Sequence, residues 1–209
     1  MSGIFITLEG PDGSGKSTIM KLISNYFNDK NIDFITTREP GGTEIGEKIR
    51  NIILDKGNKN MAAETEALLY AASRGQHVHQ KILPALKTGK VVLCERFILS
   101  SLAYQGIGRN LGIEKVKMIN DFAIKGLTPH LTLFFHVNPV VTLNRKTRKK
   151  GGDRLEREGS KFHKEVYEGY MELLKMYPEN IQIIDASKSV EEVFKQSIYH
   201  IENILKRRN

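Results

Sequence analysis

Five short apolar runs punctuate the chain, at about 3–9, 33–37, 90–95, 131–137 and 181–185. Each is too short for a typical helix and holds few charged positions, so each predicts a strand, the first of them a buried one. Between and after them, apolar residues recur three or four apart, predicting helices at about 16–28, 43–56, 63–88, 98–105, 113–125, 139–149, 160–177 and 189–207. Strands alternating with helices point to an α/β fold, a parallel sheet covered on both faces. No repeat, low-complexity tract or linker interrupts the pattern, and 209 residues suit one domain spanning 1–209. The least regular stretch is Lys149-Lys150-Gly151-Gly152-Asp153. A glycine pair beside charges fits the hinge of a mobile lid, and it fits an ordinary surface loop equally well.

Between the first strand and the first helix lies Gly10-Pro11-Asp12-Gly13-Ser14-Gly15-Lys16-Ser17-Thr18. It fits G-x-x-x-x-G-K-[ST] without a mismatch. The run Ile4-Phe5-Ile6-Thr7-Leu8 before it, and the helical spacing of Ile19, Met20, Leu22, Ile23 and Phe27 after it, supply the strand–loop–helix context the motif needs. The residues Gly10, Gly13, Ser14 and Gly15 let successive N–H groups turn inward on one anion, and the helix N-terminus at Lys16, Ser17 and Thr18 adds partial positive charge. The Lys16 ammonium then reaches the β/γ-phosphates, and the Ser17 hydroxyl is placed to ligate Mg²⁺. The motif predicts a bound nucleoside triphosphate.

The formal net charge of +8 leaves two partner classes open, nucleic acid and phosphorylated small molecules. Basic residues concentrate in Arg145-Lys146-Thr147-Arg148-Lys149-Lys150 and in Lys206-Arg207-Arg208. No aromatic residue interleaves with either run, so neither offers a surface for stacking bases, and small phosphorylated ligands are the better explanation. The one cysteine, Cys94, excludes an internal disulfide framework and sits in an apolar strand, where a small buried hydrophobe is expected. No N-terminal stretch resembles a signal peptide and no segment approaches a membrane span, so the expectation is a cytoplasmic protein without a membrane partner. The six histidines show no metal-ligand spacing, and none is assigned a catalytic role.

Further chemistry gathers at strand ends. Glu95 follows four apolar residues and has the setting of a carboxylate delivered to Mg²⁺ at the C-terminal end of a strand; a plain surface carboxylate is the alternative. Arg96 beside it can clamp a phosphate bidentately. After the second strand, Thr37-Arg38-Glu39-Pro40-Gly41-Gly42-Thr43 reads as a sharp turn with a helix cap at Thr43, which is either purely structural or a means of presenting Arg38. Tyr70 and Arg74 share a helix face, where they are either a core tyrosine with a snorkelling arginine or a platform for a flat base.

Taken together, these strings make the chain resemble the thymidylate kinases (dTMP kinases) over nearly its whole length. The resemblance rests on Glu9 to Thr18, on Arg38-Glu39-Pro40-Gly41-Gly42-Thr43, on Glu95-Arg96-Phe97, on Ala103-Tyr104-Gln105-Gly106 and on Asp153-Arg154-Leu155-Glu156. It implies a P-loop NTPase fold of the nucleoside monophosphate kinase kind, with a five-stranded parallel sheet and a short lid at about 145–156. The implied reaction is ATP + dTMP → ADP + dTDP, with Mg²⁺, for dTTP synthesis. On this resemblance Asp12 would contact the deoxyribose 3′-hydroxyl, and Arg38 and Arg96 would hold the dTMP phosphate. Tyr70 would stack on thymine, Arg74 would hydrogen-bond it, Arg50 would line the same pocket, and Ser101 and Gln105 would face the thymine edge. Lys16, Arg96, Arg148, Arg154 and Asp12 would form the catalytic set, Ser17 and Glu95 the metal ligands, and Asp185-Ala186-Ser187 the contact with adenine.

The phosphate loop carries no arginine, so the basic lid would supply that charge, as in the bacterial type of the enzyme. Glu95 departs from the family's usual aspartate and reaches about one methylene further. The Glu-Arg pair also resembles deoxynucleoside kinases, which phosphorylate a 5′-hydroxyl, and this keeps such an enzyme, or another nucleoside monophosphate kinase, as the alternative. A homodimer through the second and third predicted helices is also implied. They are rich in apolar residues: Ile45, Ile49, Ile52, Ile53, Leu54, Leu68, Leu69, Ile82 and Leu83.

Overall fold

A computed structural model describes residues 3–138 and 152–206. Its strands are β1 (Ile4–Glu9), β2 (Phe34–Arg38), β3 (Val91–Glu95), β4 (Leu131–His136) and β5 (Ile181–Asp185). They form one parallel sheet in the order β2-β3-β1-β4-β5, with Ile4 opposite Val91, Phe34 opposite Val91, Ile6 opposite Leu131 and Thr132 opposite Ile181. All five expected strands appear within two residues of their predicted limits, as does the α/β class.

Helices α1 (Lys16–Asp29), α2 (Glu44–Leu54), α3 (Ala63–His77), α4 (Leu83–Lys87), α5 (Ile98–Ser101), α6 (Ile113–Ile124), α7 (Ser160–Met176) and α8 (Val190–Lys206) connect and cover the strands. The long helix expected at 63–88 is not uniform. A π-helical turn, Val78–Ile82, joins α3 to α4, where Pro84 stands in the first turn. Proline lacks the N–H for the α-helical bond and its ring crowds the carbonyl four residues back, so a widened turn relieves both problems. The element expected at 98–105 runs on as π-helix through Leu102–Gly108. The helix expected at 139–149 lies outside the described residues.

Alternation along the buried strand β1 sorts the core into two faces. Ile4, Ile6 and Leu8 pack with Ile19, Ile23 and Phe27 of α1 and Val193 and Ile201 of α8. Phe5 faces the other way, towards Val92, Cys94, Val78, Ile82 and Phe97. A third cluster places Phe134 against Leu102, Val166, Tyr170 and Leu173. Because β1 is central and its flanking strands continue into opposite halves of the sheet, the loop after it opens at a crevice where ligands collect in such folds.

Candidate active site

Gly10 leaves β1 at φ +133°, and a Cβ there would lie 2.7 Å from the carbonyl oxygen of Phe135, so only glycine lets the chain turn this close to β4. Gly13 and Gly15 are also left-handed, and Gly15 caps α1. The Lys16 ammonium folds back over the loop, donating to the carbonyls of Gly10 (3.0 Å) and Pro11 (2.8 Å). Burial, with the repulsion of Arg96 added, pushes that ammonium down to about 7, against the pull of Asp12 and Glu95.

At the mouth of the loop, Ser17 Oγ donates to Glu95 Oε2 at 2.8 Å. The two residues expected to hold Mg²⁺ are thus brought together although 78 positions apart. Both offer hard oxygen donors. Among the described residues no group of three His, Cys, Asp or Glu forms a metal site. A hydroxyl and one carboxylate suit Mg²⁺, which keeps waters and phosphate oxygens in its shell, better than metals that need a protein cage.

Strand pairing continues past the sheet's C-terminal edge and fixes the next charges. The backbone N–H of Arg96 bonds Leu8 O, and that of Glu39 bonds Glu95 O. Arg96 itself adopts φ +67°, rare for a side chain of its size. Its guanidinium is held by Asp12, by Ser100 Oγ at 3.0 Å, by Gly10 O at 3.2 Å and by Tyr170 at 3.3 Å, and lies over the Tyr104 ring. Tyr104 also donates to Asp12 Oδ2 at 2.9 Å. Strained backbone held by so many side-chain contacts marks a site where position matters.

Two clefts meet here. One, of about 270 Å³, is lined by Asp12, Arg38, Arg50, Tyr70, Arg74, Arg96, Ser101 and Gln105, so every residue expected to hold the acceptor lies on its wall. The other runs along Gly13 to Ile19 and past Ala186 and Lys188, the neighbourhood expected for adenine. Asp12, Ser17, Glu95 and Glu156 line both clefts.

Several of these side chains have partners that spacing could not reveal. Arg38 forms a two-pronged pair with Glu47, both contacts at 3.0 Å, and Arg50 donates to Pro40 O at 2.8 Å. Arg74 is buried, giving Nε to Glu39 at 2.7 Å, Nη1 to Ser101 and Asn120, and Nη2 to Phe97 O. Four of its five N–H groups are thereby used. His77, assigned no role from sequence, bonds Glu39 through Nδ1 at 3.0 Å and Thr37 through Nε2 at 2.7 Å, tying the turn after β2 to α3. Glu9 accepts from the N–H groups of Phe97 and Ser100, fixing the start of α5 behind Arg96.

The expected lid residues divide. Arg148 lies outside the described residues, as does Arg145. Arg154 is not brought to the phosphate loop. Its guanidinium is buried, donating to Ile53 O at 2.8 Å and to Glu66 Oε2 at 2.6 Å, so contact with ATP requires its release from that carboxylate. Glu66, fully buried, also receives Arg109 and Gln105. Burial alone pushes its carboxyl up, but the contacts with Arg109, Gln105 and Arg154 outweigh it and hold the group below its ordinary value. Sequence spacing carried no sign of this cluster, whose members come from three separate segments.

The family profile described as Thymidylate kinase matches residues 8–197. A thymidylate kinase of Finegoldia magna is 59% identical over 206 residues, covering 99% of each chain. One from Clostridium novyi is 53% identical over 93% of this chain and 96% of its own, and one from Lactobacillus acidophilus 49% identical over 98% and 96%. With a matching sheet, a matching phosphate loop and relatives aligned almost end to end, the chain belongs to the thymidylate kinase family.

Proposed function

We propose that the protein transfers the γ-phosphoryl group of ATP to dTMP, giving ADP and dTDP. The observation that carries this reading is the pair of clefts sharing Asp12, Ser17 and Glu95, one built around a phosphate loop and the other around arginines and a tyrosine. Two anionic ligands laid in them would meet end to end at that seam.

The acceptor brings its own nucleophile. A phosphate monoester has its second pKa near ~6, so its oxygen is largely unprotonated at neutral pH and no strong general base is required. Catalysis is then alignment of two repelling anions and neutralisation of charge on the transferred group. Lys16 faces the β/γ-phosphates, Arg96 and Arg38 hold the acceptor phosphate, and Asp12 takes the sugar hydroxyl. Tyr70, Arg74, Arg50, Ser101 and Gln105 form the base pocket. The remaining N–H of Arg74 supports a bond to a base carbonyl, and Gln105 Oε1, buried without a partner among the described residues, supports one from the base N–H. Ser17 and Glu95 would hold Mg²⁺, which when bound supplies charge neutralisation on the phosphoryl oxygens. The lid at about 145–156, with Arg148 and a released Arg154, would close over the phosphates, all within a single domain.

Lys16 gives this reading a pH signature. Above about pH 7 the free protein holds this side chain mostly neutral, and a triphosphate beside it restores the charge. The bound state then carries more protons than the free state, so affinity for ATP falls as pH rises through that range. At about pH 8, ATP binding should take up close to one proton per site, measured by calorimetry in buffers of different ionisation heat. Binding with no proton uptake would show that the lysine is already charged.

A homodimer is part of the proposal. Ile45 and Ile52 of α2 and Leu68 of α3 are about half exposed, and Met118 and Phe122 of α6, which the sequence did not single out, are 71% and 89% exposed. Ile53 and Ile82, by contrast, are core residues. A patch of this kind is typical of a surface covered by a partner. No helix among the described residues is long and apolar enough to cross a membrane.

ADP release should be measured with dTMP, dUMP, CMP, AMP and thymidine as acceptors. The highest specificity constant is expected for dTMP, with none measurable for thymidine. Turnover of thymidine in place of dTMP would replace this reading with a deoxynucleoside kinase.

A further inference from the structure

We infer that Glu66, which does not itself line the acceptor cleft, decides which base that cleft accepts, by fixing the orientation of the Gln105 amide. The inference rests on the proposed role of Gln105 at the thymine edge.

A glutamine amide offers a donor on one side and an acceptor on the other, and its neighbours choose between them. Gln105 Nε2 lies 2.9 Å from Glu66 Oε1. An ionised carboxylate has no proton to give, so the amide oxygen is excluded from that side. Glu66 is kept ionised by Arg109, at 3.1 and 3.3 Å, and by Arg154 at 2.6 Å. The oxygen of Gln105 is therefore turned away from the carboxylate, and it is buried and unpartnered among the described residues on a side chain that lines the acceptor cleft. A buried acceptor in want of a donor suits the N3–H of thymine or uracil. It repels cytosine, whose N3 carries a lone pair.

Glu66→Gln tests this because the cluster dictates how the new amide sits. Oε2 receives two guanidinium N–H groups, from Arg109 Nη2 at 3.1 Å and Arg154 Nη2 at 2.6 Å, against the one longer contact of Arg109 Nε at Oε1, 3.3 Å, so the amide oxygen is retained at the Oε2 position. Its N–H groups then fall on the Oε1 side, towards Gln105, which must turn its own oxygen to accept and present its amino group to the base. The specificity constants for dTMP and dUMP are expected to fall together, by about ten- to a hundredfold for a mismatched buried hydrogen bond. The ratio of dTMP to dUMP should stay unchanged, because both carry N3–H. The ratio of dTMP to dCMP should drop by about tenfold or more. That drop should come mainly through dTMP, since the free N–H of Arg74 still opposes the amino group of cytosine.

A purely structural role would lower all three substrates alike and preserve both ratios, and that result overturns the inference. In a Gln105→Leu background Glu66→Gln should leave the dTMP-to-dCMP ratio unmoved; a further change would show that Glu66 does not act through Gln105. If thermal melting shows Glu66→Gln to be unfolded, Glu66→Asp, which keeps the charge, must retain the ratio, and its collapse there refutes the idea. Equilibrium binding of the three monophosphates without ATP should repeat the same pattern. Failure of the unmodified protein to use dTMP would sink the proposed function, whereas normal use of dTMP with an unchanged ratio in Glu66→Gln would sink this inference alone.

Discussion

Replacing Lys16 with methionine is expected to lower turnover by about 10²–10⁴-fold, the range for removing a preorganised charge from a transferring group, while thermal stability stays the same or rises. The two halves of this prediction have separate causes. Turnover falls because the ammonium is the positive charge aimed most directly into the phosphate loop, and no arginine stands in the loop to replace it. Stability does not fall because the free protein holds this ammonium where burial disfavours it, pulling it from 10.5 to about 7. A folded-state value below the unfolded one means that the unfolded chain binds the proton more tightly between these limits, so the charge works against folding at neutral pH. Methionine keeps the aliphatic stem and removes that opposition. Steady-state kinetics and a melting curve on the same preparation check both halves. Near-normal turnover would remove Lys16 from the catalytic set, and a large loss of stability would show that its bonds to Gly10 and Pro11 outweigh its burial.

Arg96→Ala should cost turnover on the same scale, about 10²–10⁴-fold, but here stability is expected to fall as well. The guanidinium joins Asp12, Ser100, Tyr170 and the Gly10 carbonyl, and its loss removes all of these contacts from the seam of the two clefts. Alanine also inherits the left-handed backbone without the contacts that sustain it. Arg96→Lys separates charge from shape. It restores a cation but not the planar fork that reaches several partners at once, so it should recover only part of the activity. Full activity in Arg96→Lys would mean that a point charge suffices, and full activity in Arg96→Ala would exclude any role in transfer.

The phosphate loop was legible because its chemistry is local. Glycine positions, the lysine and the hydroxyl all lie within nine residues, Gly10 to Thr18, between a strand and a helix whose periods are unambiguous. The inner strands β1, β3 and β4 were legible because burial on both faces leaves short continuous apolar runs, whereas the edge strands β2 and β5 carry exposed positions. What the sequence concealed depends on contacts between distant segments. His77 shows no metal-ligand spacing, and its bonds to Glu39 and Thr37 exist only once α3 is laid beside the turn after β2. Arg154 stands in a string that points to ATP, yet a carboxylate 88 residues earlier captures it. Glu66 itself looks like one more polar residue in the first turn of a helix. The π-helical turns were missed because apolar spacing cannot register one extra residue in a turn, although Pro84 was a usable warning for the first of them.

The seam shared by the two clefts also says something about tolerance to motion. In an enzyme that grips its substrates with separate domains, the gap between reacting atoms inherits every fluctuation of the hinge between them. Here Asp12 and Ser17 belong to one short turn of chain, and Glu95 ends the strand paired alongside β1. Both phosphates would therefore be measured from the same few residues, which move together. Substitutions remote from both clefts should therefore alter binding and release long before they alter the distance over which the phosphoryl group is passed.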